Sequence, residues 1–366
     1  MRDILIYMST RWFRPEISKL PAYVSGKRSE REDIIKLSSN EVPFGTIPEV
    51  AKAVAEKIQG INRYPDMANA DIVAALAERE NWPEDGIVVS NGSTALLEKI
   101  LQAVTTPGGD VVYPWRSFEA YPIAILAAGG NPVPVPLRED GTQDLDAMLA
   151  KVTPETRCVM LCSPNNPTGT ALGHAQTERF VEAIPESVPI IIDEAYIHFA
   201  NPENVQDGLA IARKHPNVIV ARTFSKVYGL AGLRIGYVLT SAEMATGIRA
   251  IATPFGVNLL AQAAGVAALE QREAVERVAQ EISHLRDELR AQAQQLGFEV
   301  PHSEANFLWF AKDARGNKLD GERFEEVCRE EGILVRKLGD DGVRVTVAEK
   351  EGGLRLLAAL RRLSAN

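Results

Sequence analysis

The sequence predicts an α/β protein of two domains: a large one with a mostly parallel sheet sandwiched by helices, and a smaller α+β one after it. Three observations predict this. The 366 residues exceed what one compact core usually holds. Between residues 87 and 239, short strand-like runs alternate with helix-like segments, and several runs are apolar on both faces, as strands covered from two sides must be. Beyond about Pro254 this alternation gives way to one long amphipathic helix and two separate strand-like runs.

Taken in chain order, residues 1–34 read as an arm packing with the small domain, because Pro15, Pro21 and Gly26 interrupt any regular element. Residues 35–258 form the expected large domain. Its strands are Ile87–Ser90, Val111–Tyr113, Val159–Leu161, Ile190–Asp193, Val218–Val220 and Ile235–Leu239, with helices over Ala95–Val104 and Phe118–Ala128. Residues 259–366 form the expected small domain. Val275, Val278, Ile282, Leu285 and Leu289 recur at steps of three and four, which predicts a helix stopped by Gly297. Strand-like Asn306–Phe310 and Val343–Val347 follow, then a helical tail over Leu354–Leu363.

Composition narrows the function. A net charge of -9 and a pI near 5.3 argue against a nucleic-acid binder, which needs a basic face. Three cysteines, Cys158, Cys162 and Cys328, make neither a disulfide framework nor a metal cluster; the first two read as buried strand thiols. No apolar stretch approaches the roughly 20 residues of a membrane span, and the start is too short and polar for a secretory signal. A cytoplasmic protein is expected, with Met8 an alternative start to Met1.

Four segments carry chemistry. In Arg222-Thr-Phe-Ser-Lys226-Val-Tyr-Gly229-Leu-Ala-Gly232-Leu-Arg234, a lysine sits between a strand and a glycine-rich turn, with an arginine eight positions on. A surface lysine on a loop is the plain alternative. Against it, Thr223 and Ser225 supply hydroxyls and Arg234 a fork of donors, a set that suits a phosphate. In Ile190-Ile-Ile-Asp193-Glu-Ala-Tyr196, an aspartate ends a very apolar strand, where a helix N-cap is the alternative. Cys162-Ser-Pro-Asn-Asn166-Pro-Thr-Gly169 is a turn, with Asn166 placed 27 residues before Asp193. Asn91-Gly92-Ser93-Thr94 opens a helix, whose N–H groups and positive dipole end can hold an anion.

Together these segments resemble the signature of fold-type I pyridoxal-phosphate aminotransferases, in one order over nearly the whole chain. The resemblance implies that Lys226 binds the aldehyde of pyridoxal 5'-phosphate. It implies that Asp193 pairs with the pyridine nitrogen, that Asn166 and Tyr196 reach the ring hydroxyl, and that Phe118 rather than Trp115 stacks on the ring. Gly92, Ser93, Thr94, Thr223, Ser225 and Arg234 would surround the phosphate. Tyr64, in Asn62-Arg-Tyr64-Pro-Asp66, would reach the phosphate of a neighbouring subunit, which implies a homodimer. Arg344, an arginine inside an apolar strand, would take the substrate α-carboxylate, with Asn40 nearby. Val227 departs from the pattern, which has a small residue there, but removes no chemical group.

Within the class, Lys36-Leu-Ser-Ser-Asn40-Glu41, Arg222–Lys226 and Ser303-Glu-Ala-Asn306-Phe resemble the histidinol-phosphate aminotransferase group. Asn40-Glu-Val-Pro-Phe-Gly45 and Trp115-Arg-Ser-Phe-Glu-Ala-Tyr-Pro122 pull toward its aromatic amino acid branch. The expected reaction moves the amino group of phenylalanine, tyrosine or tryptophan to 2-oxoglutarate by a ping-pong mechanism; the alternative substrate is histidinol phosphate. Tyr23, Phe255, Asn258 and Arg336 are the expected substrate-pocket residues. Arg336 keeps the alternative open, since it could meet a phosphate or a second carboxylate. A β-lyase or decarboxylase of the same fold, a non-catalytic ligand sensor and a dinucleotide-binding protein are the competing readings. The last has no Gly-x-Gly-x-x-Gly turn to support it.

Overall fold

The computed structural model describes Trp12, Ile17, Leu20 and residues 33–365. Most of the expected N-terminal arm, Tyr23 included, lies outside the described residues.

The strands are β1 (Ile35–Lys36), β2 (Ile87–Ser90), β3 (Asp110–Trp115), β4 (Asn131–Pro136), β5 (Thr156–Cys162), β6 (Ile190–Asp193), β7 (Val218–Thr223), β8 (Gly236–Leu239), β9 (Phe307–Phe310), β10 (Ile333–Leu334), β11 (Arg336–Leu338) and β12 (Gly342–Thr346). The helices are α1 (Pro48–Lys57), α2 (Ala70–Glu80), α3 (Ser93–Val104), α4 (Ala120–Ala127), α5 (Leu145–Leu149), α6 (His174–Ala183), α7 (Gly208–Ala212), α8 (Ala242–Ala250), α9 (Leu259–Glu270), α10 (Arg272–Gln295), α11 (Gly321–Glu330) and α12 (Lys350–Ser364).

Seven strands form one sheet in the order β2-β8-β7-β6-β5-β3-β4. Six run parallel, and β8 runs antiparallel to both neighbours. Successive residues of the inner strands enter two separate apolar clusters. Val111, Cys158, Met160, Ile191 and Ile219 face one side; Val112, Val159, Leu161, Ile190, Ile192 and Val220 face the other. Alternation of side chains across a strand puts a core on each face, so the strands read as unbroken apolar runs. The three cysteines are free and buried, Cys158 and Cys162 on one face of β5.

The sequence pattern gave no sign of β4, whose residues are Asn-Pro-Val-Pro-Val-Pro. Proline cannot donate to a ladder and is tolerated only where one side needs no partner. β4 is an edge strand and pairs with β3 alone.

The chain after α9 builds a second unit: the antiparallel sheet β11-β12-β9, flanked by α10, α11 and α12. Two contacts do not follow the expected division at residues 34/35 and 258/259. β1 pairs with β10, so Ile35–Lys36 joins the small unit. α9 packs on α1 and α2, so it stays with the large one. Among the described residues, no helix is long and apolar enough to cross a membrane.

Candidate active site

Parallel strands end at one edge, and here that edge collects the polar residues singled out in the sequence. β6 ends at Asp193, whose register partners are Cys162 at the end of β5 and Ala221 near the end of β7. Three residues past β7 stands Lys226; past β3 stands Phe118; past β2 stand Gly92, Ser93 and Thr94. Because β8 runs the other way, its start, and Arg234 just before it, reach the same edge. A cavity of about 190 Å³ lies there, lined by Ser93, Thr94, Phe118, Asn166, Asp193, Tyr196, Thr223, Ser225, Lys226 and Arg234. Trp115 is not in this lining. Beside it lies a second cavity of about 110 Å³, lined by Asn40, Phe118, Asn166, Tyr196, Lys226, Arg336 and Arg344 among others.

One end of the first cavity is built for an anion. α3 begins at Ser93 with no side-chain cap, so its first N–H groups lack helical partners. The hydroxyls of Ser93 and Thr94 stand beside them, and Arg234 Nη1 reaches Ser225 Oγ at 3.4 Å. Two glycines let these parts close up. A Cβ at Gly236 would lie 2.4 Å from the Ser93 nitrogen, and one at Gly92, whose φ is +102°, would lie 2.7 Å from Arg234 Nη2. Thr223 shapes the turn as well as lining it: its Oγ1 accepts from the Ser225 N–H at 3.0 Å.

The other end holds a buried acid. Asp193 accepts from the Tyr121 hydroxyl at 2.8 Å and from the Ala195 N–H at 3.2 Å. Burial raises its pKa, and these two bonds, with Lys226, pull it back. Between the ends, Lys226 Nζ lies 3.3 Å from the Ser39 carbonyl and 5.5 Å from the centre of the Tyr196 ring. Burial first, then the charges of Arg344 and Arg234, lower its pKa to about 7, against opposing pulls from Glu41 and Asp193. At neutral pH a large share of this amine is uncharged and nucleophilic.

The second cavity joins the two units. Arg344, on β12, donates to Asn166 Oδ1 at 2.6 Å and to the Ser38 carbonyl at 2.8 Å. Asn166 Nδ2 has no partner among the described residues and is available to a ligand. Asn40 donates to the Tyr196 hydroxyl at 2.9 Å and accepts from Thr346 at 3.0 Å, so it ties the large unit to β12. Burial raises the Tyr196 pKa and keeps its hydroxyl protonated, a donor as well as an acceptor.

Two expected substrate-pocket residues, Asn258 and Phe255, stand elsewhere. Asn258 caps α9, accepting from the Ala261 N–H at 2.9 Å and donating to the Leu233 carbonyl at 3.1 Å. A side chain held at both ends by backbone is fixed as a cap. Phe255 lines neither cavity; it stacks on Tyr64 with ring centres 4.7 Å apart, and both rings are exposed on the outer surface. Tyr64 likewise lines neither cavity. Arg336 does line the second cavity, but its Nη2 is bonded to Glu119 at 2.7 Å.

Sequence reasoning missed Tyr121, Ser38 and Glu119. Tyr121 lay in a quoted motif but inside an apolar helix, where a tyrosine reads as core. Beside the first cavity it also missed a buried ion network. Arg222 bonds Glu194 at 2.9 Å, Glu80 at 2.8 Å and Asp207 at 2.9 Å, and Tyr237 donates to Glu80 at 2.8 Å.

An anion cradle, a buried carboxylate, an amine and an aromatic wall around one slot fit a flat, phosphate-bearing pyridine aldehyde. The comparisons agree. The family pattern "Aminotransferase class I and II" matches residues 32–359. The chain is 43% identical to the aromatic amino acid aminotransferase of Thermobifida fusca over 339 residues, 92% of each chain. It is 40% identical to that of Cutibacterium acnes over 351 residues, 95% of this chain and 97% of the other. Among solved structures, the histidinol-phosphate aminotransferase of Sinorhizobium meliloti in complex with pyridoxal-5'-phosphate superposes with a TM-score of 0.87, at 29% identity, over 98% of this chain and 99% of that one. The chain belongs to the class I and II aminotransferases, as a pyridoxal-phosphate-dependent enzyme of the fold-type I group that joins the histidinol-phosphate and aromatic amino acid branches.

Proposed function

We propose that this aminotransferase takes the amino group from phenylalanine, tyrosine or tryptophan and delivers it to 2-oxoglutarate in a ping-pong cycle. One observation carries the choice of donor. The buried cation beside the substrate side chain, Arg336, is already matched by Glu119, and Phe118, Tyr196 and Leu338 line the same cavity. A wall of rings around a neutralised ion pair suits an uncharged aromatic side chain. The 40–43% identity to aromatic amino acid aminotransferases supports the same reading. Histidinol phosphate is the second reading, because Arg336 does stand at this cavity and a phosphate could compete for it.

The proposed roles follow from position. Pyridoxal phosphate, when bound, supplies the electron sink for charge developing at the substrate α-carbon. Ser93, Thr94, Ser225, Arg234 and the start of α3, which opens at Gly92, hold the phosphate, with Thr223 shaping their turn. Asp193 keeps a proton on the ring nitrogen. Asn166 and Tyr196 hydrogen-bond the ring hydroxyl, and Phe118 packs on the ring face. Arg344 takes the α-carboxylate in bidentate fashion, while Asn40 holds Tyr196 and β12 in place. Lys226 Nζ, uncharged near neutrality, takes the α-proton. Tyr64, exposed on its own chain, completes the site of a second copy, which makes the working unit a homodimer. We divide the chain near the α9–α10 junction.

The test compares kcat/KM for phenylalanine and for histidinol phosphate, each with 2-oxoglutarate, on one preparation. A ratio favouring phenylalanine about a hundredfold or more, some 2.7 kcal/mol, is expected. A preference for histidinol phosphate overturns the donor and keeps the cofactor roles. Lys226→Ala should lose turnover with both donors.

A further inference from the structure

The wall of the substrate cavity contains a cation whose partner belongs to the protein. β11 and β12 pair so that Arg336 lies directly opposite Arg344. Two like charges at directly opposed positions repel, and both residues are largely buried, 8% exposed each. Arg344 donates to the Asn166 amide oxygen and the Ser38 carbonyl, and Arg336 donates to a carboxylate, that of Glu119. Glu119 belongs to the large unit and precedes α4, where a carboxylate is favoured by the helix end. Its side chain is 30% exposed against 10% for that of Arg336, so the acid has a route to solvent and the arginine has little. A second pair, Arg116 with Asp341 at 2.6 Å, ties the same two segments, so the Glu119 carboxylate can leave Arg336 without separating them.

We propose that Glu119 is a specificity-determining residue. Its carboxylate competes with substrate for Arg336, closed on the arginine when an uncharged side chain occupies the cavity and turned to solvent when a substrate brings its own second carboxylate. The exchange replaces one charge-assisted bond on the guanidinium fork by another of the same kind. Arg336 thus faces a carboxylate in either state. One cavity thus accepts both an aromatic donor and a dicarboxylate acceptor, and Glu119 sets the balance between them. This rests on the aminotransferase reading above, with both substrates using one cavity.

The experiment uses cofactor-loaded enzyme and two unreactive probes, glutarate and 3-phenylpropanoate, titrated calorimetrically. Glu119→Gln removes the competing charge and keeps the shape. Glutarate should then bind about tenfold tighter, and 3-phenylpropanoate within about twofold of the unmodified enzyme. Arg336→Gln should weaken glutarate and spare 3-phenylpropanoate. An unchanged ratio of the two affinities in Glu119→Gln overturns the proposal, as does an equal shift of both. If Arg336→Gln does not hold cofactor, the Glu119→Gln ratio alone decides. Failure of the donor assignment looks different: phenylalanine is then no substrate of the unmodified enzyme, while the shift in glutarate affinity persists.

Discussion

The Tyr121 hydroxyl donates to Asp193 Oδ2 over 2.8 Å, entirely inside the protein. This bond favours the ionised acid against the burial that opposes it. Tyr121→Phe keeps the ring, which packs edge-on against Phe118 and Tyr113, and removes only the donor. A hydrogen bond to a charged group contributes about 1.5–3 kcal/mol, so cofactor affinity should fall about tenfold or more. The Asp193 pKa should rise, and since the carboxylate form is needed, the acid limb of the pH–activity profile should move to higher pH. A variant with weaker cofactor binding and an unmoved acid limb would make Tyr121 a packing residue only.

Lys226 should react as a free amine far below the range of an exposed lysine. Burial, Arg344 and Arg234 lower its pKa to about 7. The uncharged amine is the reactive form and predominates above the pKa, so labelling of the apoenzyme by an amine-directed reagent should rise with pH and level off above about 8. Mass spectrometry of the Lys226 peptide across pH 5–10 measures it. A midpoint near 10 would mean that the surrounding charges do not act on this amine. Arg344→Gln removes one of the two cations and should raise the midpoint.

Much of this was legible in the sequence because motif and period agree. An apolar strand followed by Asp193, or by Thr223 and Lys226, marks both the element and the edge at which chemistry collects. What stayed hidden depends on contacts distant in sequence. β4 carries three prolines that only an edge position tolerates, and edge position is a property of the whole sheet. Glu119 and Arg336 are 217 positions apart, and nothing local marks either as the other's partner. Asn258 looks like a ligand in a string of letters; its role as a cap depends on where α9 begins. Phe255 reads as a substrate-pocket residue, but its stacking on Tyr64 outside both cavities is a matter of the assembled surface.

Arg222 should matter to stability more than to chemistry. It is the common cation of Glu80, Glu194 and Asp207, and Glu194 is fully enclosed. Arg222→Met leaves buried carboxylates without their cation, which costs about 3–5 kcal/mol. The unfolding midpoint of the apoenzyme should fall accordingly in a denaturant titration. Adding Glu194→Gln should restore part of the loss, because the excess negative charge is then smaller. A midpoint within error of the unmodified chain would show the network to be dispensable.

The last prediction concerns the phosphate cradle. Gly92 has φ +102° and ψ 155°, a conformation open to glycine and strained by about 1–3 kcal/mol for other residues. A Cβ there would also meet Arg234 Nη2 at 2.7 Å, pushing away a guanidinium that faces the start of α3. Gly92→Ala should therefore weaken whatever the cradle grips, and little else. Pyridoxal 5'-phosphate and pyridoxal differ only in the phosphate, so the ratio of their affinities isolates that grip from the rest of the slot. In the unmodified apoenzyme the phosphate form should bind far more tightly. In Gly92→Ala the ratio should shrink about tenfold or more, with pyridoxal itself held nearly as before. Equal losses for both ligands would mean that the substitution damages the slot as a whole. An unchanged ratio would place the phosphate away from α3 and Arg234.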